Sequence, residues 1–351
     1  MSEPEAGPVT LMDVALEAGV SLATASRAFN GSTRKVREEL RERVLVAAKK
    51  LNYSVNAPAQ AMARGRSNVV GLLVHDIADP YFSSIAAGVM KAAEEHQLLV
   101  TLGSTMRRPE RELEYLAALR GQRSRAVILA GSRVDDPRLI SALREQVEAF
   151  ERSGGRVVLI SQQKLAVDTV VLENRRGARD LATELAARGY RRFAVLAGPE
   201  RLLTARDRLQ GFSSGLTKAG LSAPLVVSGE FTRDGGYAAM TELLTEVLER
   251  PADIDCVFAV NDVMAVGAMA ACRDQGLRLP EDLALAGFDD IATLRDLTPG
   301  LTTVRLPLEQ VGATALELVV TADGQAARQK RIRGEVILRA STPGRSGKMS
   351  G

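Results

Sequence analysis

The chain contains only two cysteines and two histidines, and their placement removes several chemistries at once. Cys256 and Cys272 lie in apolar surroundings without the paired spacing of a disulfide, redox or zinc site, so both are expected as buried, reduced thiols. His75 and His96 have no partner at metal-ligand spacing, and neither a metal nor a cofactor is expected. His75 adjoins Asp76, a pair that fits a polar contact at a cleft edge better than acid–base work, given the geometry catalysis demands. No two glycines lie two positions apart, so the Gly-x-Gly-x-x-Gly turn of a dehydrogenase is absent, as is a Walker phosphate loop. No apolar run approaches the roughly 20 residues of a membrane helix. Met1 to Pro8 also lacks the basic-then-apolar start of an exported chain. These absences lead to the expectation of a cytoplasmic protein that is neither an enzyme nor a membrane partner.

What is present is an ordinary globular balance, 46% hydrophobic and 25% charged, over 351 residues, enough for two or three folded units. The net charge of +3 is unevenly distributed. Between Arg27 and Arg66 stand ten basic residues against three acids, whereas from Ser67 onward there are 36 of each sign. A basic partner surface is therefore expected near the amino terminus.

Beyond Ser67, short apolar runs alternate with amphipathic stretches. Strands are predicted at Val69–Val74 and near 98–102, 126–130, 157–160, 193–197, 225–227, 256–260 and 283–287. Continuous apolar strands separated by helices imply parallel sheets covered on both faces. The pattern restarts after Thr169-Val170-Val171-Leu172, which predicts two α/β lobes with a ligand cleft at the carboxyl ends of their strands.

Ahead of this body, Thr10 and Asp13 have the spacing of a helix-capping pair, Gly19 suits a helix end, and Ser21 caps a second helix. That helix carries Leu22, Ala23, Thr24, Ser26, Arg27 and Asn30 on a short, polar, basic face, with Ala25, Ala28 and Phe29 opposite. Such a face fits a DNA major groove, its hydroxyls and Asn30 on phosphates and Arg27 at a base edge. A third helix is predicted at 36–52, where Leu40, Val44, Ala48 and Leu51 close a small core.

The string VTLMDVALEAGVSLATASRAFNGS at 9–32, with KKLNYSVNAPAQAMARGRS at 49–67, resembles the head of the lactose-repressor/galactose-repressor family of bacterial regulators. The resemblance runs on to about Pro343. It implies an all-α helix-turn-helix DNA-binding head plus an α/β body of two doubly wound parallel-sheet lobes, like a periplasmic binding protein. The implied division is head and hinge at 1–66 (hinge about 54–66), first lobe at 67–172 plus 302–334, second lobe at 173–301 plus 335–343, and a disordered tail at 344–351.

The implied partners are double-stranded operator DNA, a small-molecule effector and a second copy of the chain, as a dimer or a higher oligomer. For the DNA side, the family pattern adds Thr10, Leu11, Ser21, Tyr53, Asn56, Ala59 and Met62 to the second-helix residues. Met62 stands where the family places a wedging leucine, and Val55 where proline is usual. The turn at 31–35 is longer and more basic than the lactose repressor's own. For the effector side, the resemblance implies Asp76, Tyr81, Phe82, Arg208, Phe231, Asn261 and Asp289. It makes a repressor released by a sugar or sugar derivative the expectation, with a purine-like corepressor as the alternative.

Overall fold

The computed structural model describes residues 9–30, 36–53, 67–248, 254–321 and 326–345. The chain separates into two units, Met1–Ser67 and Asn68–Gly351. The first is built from α1 (Leu11–Glu17), α2 (Leu22–Asn30) and α3 (Glu38–Lys50). Reciprocal capping starts α1 at the predicted place: Thr10 N–H donates to Asp13 Oδ2 at 2.8 Å and Asp13 N–H to Thr10 Oγ1 at 3.4 Å. Gly19, at φ +61°, turns the chain out of α1, and Thr24 N–H donates to Ser21 Oγ at 3.1 Å to open α2. Val14, Ala15, Ala25, Val44, Ala47 and Ala48 form the buried centre, small side chains that let three short helices approach closely. α3 is shorter at both ends than the predicted 36–52; Arg37 supplies no side-chain cap, so nothing fixes its first turn further upstream.

The second unit begins with β1 (Val69–Val74), α4 (Pro80–Glu95), β2 (Leu99–Ser104), α5 (Pro109–Gly121), β3 (Ala126–Ala130), α6 (Pro137–Arg152), β4 (Arg156–Ile160) and β5 (Asp168–Leu172). It continues with α7 (Asn174–Ala187), β6 (Phe193–Ala197), α8 (Leu203–Lys218), β7 (Leu225–Ser228), α9 (Arg233–Leu248), β8 (Cys256–Ala259), α10 (Asp262–Asp274) and β9 (Ala284–Ala286). A 3-10 turn at Ala292–Asp296 leads to β10 (Thr303–Arg305), α11 (Leu308–Val320), β11 (Gln329–Ile332) and β12 (Glu335–Ile337).

Two parallel sheets result, ordered β11-β5-β4-β3-β1-β2 and β7-β6-β8-β9. The central strands β1, β3, β6 and β8 are almost wholly buried runs such as Ala126–Ala130 and Phe193–Ala197, as strands covered by helices on both faces must be. In each sheet the strand order reverses once, between β1 and β3 and between β6 and β8, and these switch points are where doubly wound sheets bind ligands.

The return to the first lobe comes later than the expected residue 302. β10 pairs antiparallel with β12, and bridges at Ala286–Thr302 and Asp289–Arg305 seat it beside the second sheet, so the chain crosses back only at α11. Arg345, expected in the tail, is held by the fold: its N–H donates to Arg188 O at 2.9 Å, and its guanidinium lies 2.7 Å from Asp255. Cys256 and Cys272 are buried free thiols whose pKa values burial raises. Among the described residues, no helix is long and apolar enough to cross a membrane.

Candidate functional site

Along α2, Ala25 and Ala28 face the small core while Leu22, Ala23 and Arg27 are exposed and Thr24 and Ser26 half-buried. Alternation of that kind leaves one low, polar, cationic ridge with few side chains long enough to keep a surface at a distance. Ser21 and Thr24 hydroxyls hydrogen-bond each other at 2.8 Å, which fixes their position at the helix start. Thr10 is exposed beside the first turn of α1, Leu11 packs against the core, and Tyr53 meets Phe29 with ring centroids 5.8 Å apart. The Asn30 side chain, the 31–35 turn, Val55, Asn56, Ala59 and Met62 lie outside the described residues.

In the second unit, the loops after β1, β3, β6, β7, β8 and β9 converge on one cleft. Six of the seven residues expected at an effector line its inner cavity of about 40 Å³: Tyr81, Phe82, Arg208, Phe231, Asn261 and Asp289. Asp76 does not. Its carboxylate accepts from Ala78 N–H at 3.0 Å, closing a turn, and Asp79 is the acid of that loop that lines the cavity. Asp79 caps α4 by accepting from Tyr81 N–H at 3.0 Å and lies 3.7 Å from Arg107. Burial raises the Asp79 carboxyl above its ordinary range.

Arg208, about 1% exposed, is the centre of the arrangement. Its Nε donates to Asn174 Oδ1 at 2.9 Å, Nη1 to Val260 O at 2.8 Å and to Asp289 Oδ2 at 3.2 Å, and Nη2 to Asp289 Oδ1 at 2.7 Å. The guanidinium lies 3.9 Å from the Phe288 ring centroid. Four of its five N–H groups are thus fixed, and among the described residues one Nη2 hydrogen has no partner. Burial raises the Asp289 carboxyl while the adjacent guanidinium pulls it back. Asp289 also holds φ +121°, a conformation that costs roughly 1–3 kcal/mol and collects at functional sites.

Asn261 caps α10, its Oδ1 accepting from Met264 N–H at 2.8 Å, so its remaining cavity-facing group is a donor amide. Its neighbour Asp262 accepts from Thr303 Oγ1 at 2.7 Å and Ile291 N–H at 3.0 Å and supports the loop from behind. Burial pushes Asp262 up to about 6.

Sequence reasoning put His75 at a cleft edge beside Asp76 but missed Ser132, Gln162 and Thr204, which arrive from other strand ends. His75 lines the cavity as a neutral imidazole, pushed down to about 4 by burial and the nearby Arg133. It packs so closely on Gly131 that a Cβ there would sit 2.4 Å from Nε2, and Gly131 holds φ +153°. Thr204, Ser132 and Gln162 join across the cleft: Thr204 N–H donates to Ser132 Oγ at 3.0 Å and Gln162 Nε2 to Thr204 Oγ1 at 2.8 Å. The rim is sewn together further by a Val134–Leu202 bridge, Asp135 N–H to Arg201 O at 2.8 Å, and ion pairs Arg206–Asp135 and Arg201–Asp136, both at 2.6 Å. None of these groups has a distinctive spacing in one dimension.

Comparison with known proteins places this geometry in context. Residues 10–56 match the family described as bacterial regulatory proteins, lacI family, and residues 182–342 match the periplasmic binding protein-like domain. The HTH-type transcriptional regulator GalS of Salmonella typhimurium is 35% identical, with 89% of each chain covered. The HTH-type transcriptional repressor CytR of Escherichia coli is 32% identical over 95% of this chain and 96% of its own. Among solved structures, the lac repressor dimer bound to operator and the anti-inducer ONPF superposes with a TM-score of 0.81 at 26% identity, covering 96% of this chain and 99% of that one. A CelR–cellobiose complex superposes with a TM-score of 0.67 at 31% identity, covering 95% and 99%.

Proposed function

The chain belongs to the lacI family of bacterial regulatory proteins, and we propose that it represses transcription as a dimer on a near-palindromic operator, released when a sugar or sugar derivative enters the inter-lobe cleft. The observation that carries the ligand class is the state of Arg208. Its charge is matched by Asp289 and that of Arg107 by Asp79, so the inner cavity offers fixed hydrogen-bonding edges without net charge. An Nη2 hydrogen of Arg208, the Asn261 amide and the Asp79 and Asp289 oxygens supply donors and acceptors side by side, which suits adjacent hydroxyls. Tyr81, Phe82 and Phe231 supply ring faces around them. The likeness to the lac repressor complex supports the dimer and the operator. Coupling between the two ligands is reciprocal: an effector that weakens operator binding is itself bound less tightly by the operator complex.

The experiment is selection of duplexes from a random pool with the full chain, followed by titration of parent and Arg27→Ala on the enriched sequence and on random duplex at one salt concentration. The expected result is an enriched near-palindrome and a loss of about 1–3 kcal/mol of discrimination in the variant. Absence of enrichment overturns the regulator reading. Equal losses on both duplexes assign Arg27 to phosphate alone.

A further inference from the structure

The turn after β9 carries two acids in succession, both with positive φ: Asp289 at +121° and Asp290 at +57°. Asp289 lines the effector cavity, whereas Asp290 belongs to a separate groove of about 530 Å³ that shares no lining residue with it. There Asp290 meets two more arginines. Arg305 Nε donates to its Oδ2 at 2.7 Å, and Arg339 Nη2 lies 2.7 Å from its Oδ1. A further arginine, Arg295 of the 3-10 turn, and the start of α11 border the same groove.

Positive charge in this groove exceeds what its acids match. One carboxylate, Asp290, is shared by Arg305 and Arg339, and Glu335, 4.0 Å from Arg305 and largely exposed, adds little. Arg295 is exposed and has no ion pair among the described residues. Pro307 gives α11 no side-chain cap, so the first-turn amides of Glu309 and Gln310, both on the groove, have no intrahelical acceptor. The 13-residue helix adds its partial positive charge at that end. The opposing group is the exposed Glu309 carboxylate, which pairs with no arginine among the described residues. A neutral ligand would leave the surplus unused. A phosphate group matches it, since its oxygens can accept from forked guanidinium groups and helix amides together.

We propose that this groove is a second ligand site, separate from the effector cleft, for a dianionic phosphate group, as a small ester or as the free ion. Arg295, Arg305 and Arg339 hold the phosphate at the start of α11, and Asp290 competes with it for Arg305 and Arg339. Two substitutions separate these roles. Arg295→Glu reverses a charge on an exposed residue without a partner, so the fold has little to lose. Asp290→Asn removes the competitor, and asparagine takes a left-handed conformation such as φ +57° as aspartate does.

The test is calorimetric titration of the full chain with glycerol 3-phosphate, inorganic phosphate and glycerol, at one ionic strength set with sodium chloride and at a pH where the monoester is dianionic. Both anions are expected to bind and glycerol is not; the tighter anion shows whether the ester or the free ion is the occupant. Arg295→Glu is expected to weaken the tighter anion about tenfold, as loss of a charge-assisted contact does. Asp290→Asn is expected to strengthen it about threefold, the scale of a partly exposed ion pair. A gain of affinity on removing an acid is a result that an unfolded variant does not give. Failure of both anions to bind, glycerol binding as tightly as its phosphate, or an affinity that either substitution leaves unchanged overturns the proposal.

Discussion

Arg208 is held by Asn174, Val260 and Asp289 at a depth where removing one partner of an ion pair leaves an uncompensated charge. Arg208→Met is expected to lower stability by about 3–5 kcal/mol in urea unfolding. Arg208→Met with Asp289→Asn is expected to recover most of that loss, because the stranded carboxylate is gone, yet neither variant should bind the effector sugar. Recovery of ligand binding in the double variant would remove the pair from the site. At this scale the lining of the inner cavity was readable where a residue sits in a motif: Tyr81, Phe82, Arg208, Phe231, Asn261 and Asp289 came with the family resemblance. The cavity is lined by Asp79 and not by Asp76, and a local cue was present, since Asp79 stands directly before Pro80, the pattern of a helix cap that points its carboxylate into the loop. Ser132, Gln162 and Thr204 carry no such cue. They meet only because three strand ends meet.

Helix pairs in both lobes approach through glycines. In the α4–α11 pair, a Cβ on Gly88 would lie 1.9 Å from Glu309 O and one on Gly312 2.1 Å from Ile85 O; in the α9–α10 pair, a Cβ on Gly267 would lie 1.9 Å from Arg233 O. These are backbone contacts that cannot move aside. Gly88→Ala is therefore expected to destabilise by about 1–3 kcal/mol, whereas Gly121→Ala, at the end of α5 with open space around it, is expected to stabilise by about 0.4–1 kcal/mol. Thermal unfolding of the two variants tests the contrast, and a neutral Gly88→Ala would show that the helices can separate without loss. The long buried strands were legible because five or six apolar residues in a row leave little choice. β10, β11 and β12 were not: Gln329–Ile332 is a charged edge strand and the others have three residues each, so pairing rather than composition defines them.

Across the whole body, the rim of the cleft is joined by the Val134–Leu202 bridge and the ion pairs of Asp135 and Asp136. Exposed pairs are worth only about 0–1 kcal/mol each, so this rim biases the lobes without locking them. Asp135→Ala is expected to raise the effector sugar's dissociation constant about two- to fivefold by calorimetry, since less of the chain is then closed; unchanged or tighter binding would show that the rim contributes nothing to holding the closed form. The two-lobed plan itself was readable from the restart of the strand–helix pattern after Leu172, but the late return at α11 was not, because residues 302–305 look like any short strand until their partner is known. The route of the chain also sets a timetable. β5 waits for its neighbour β11 through about 160 intervening residues, roughly 8–30 seconds of synthesis at ribosomal speeds. During that interval β5 is an unpaired edge, while the second sheet can assemble all its strands. The sheet begun first on the ribosome is thus the one completed last, and the newborn chain is most exposed to chaperones and to misassembly along that edge.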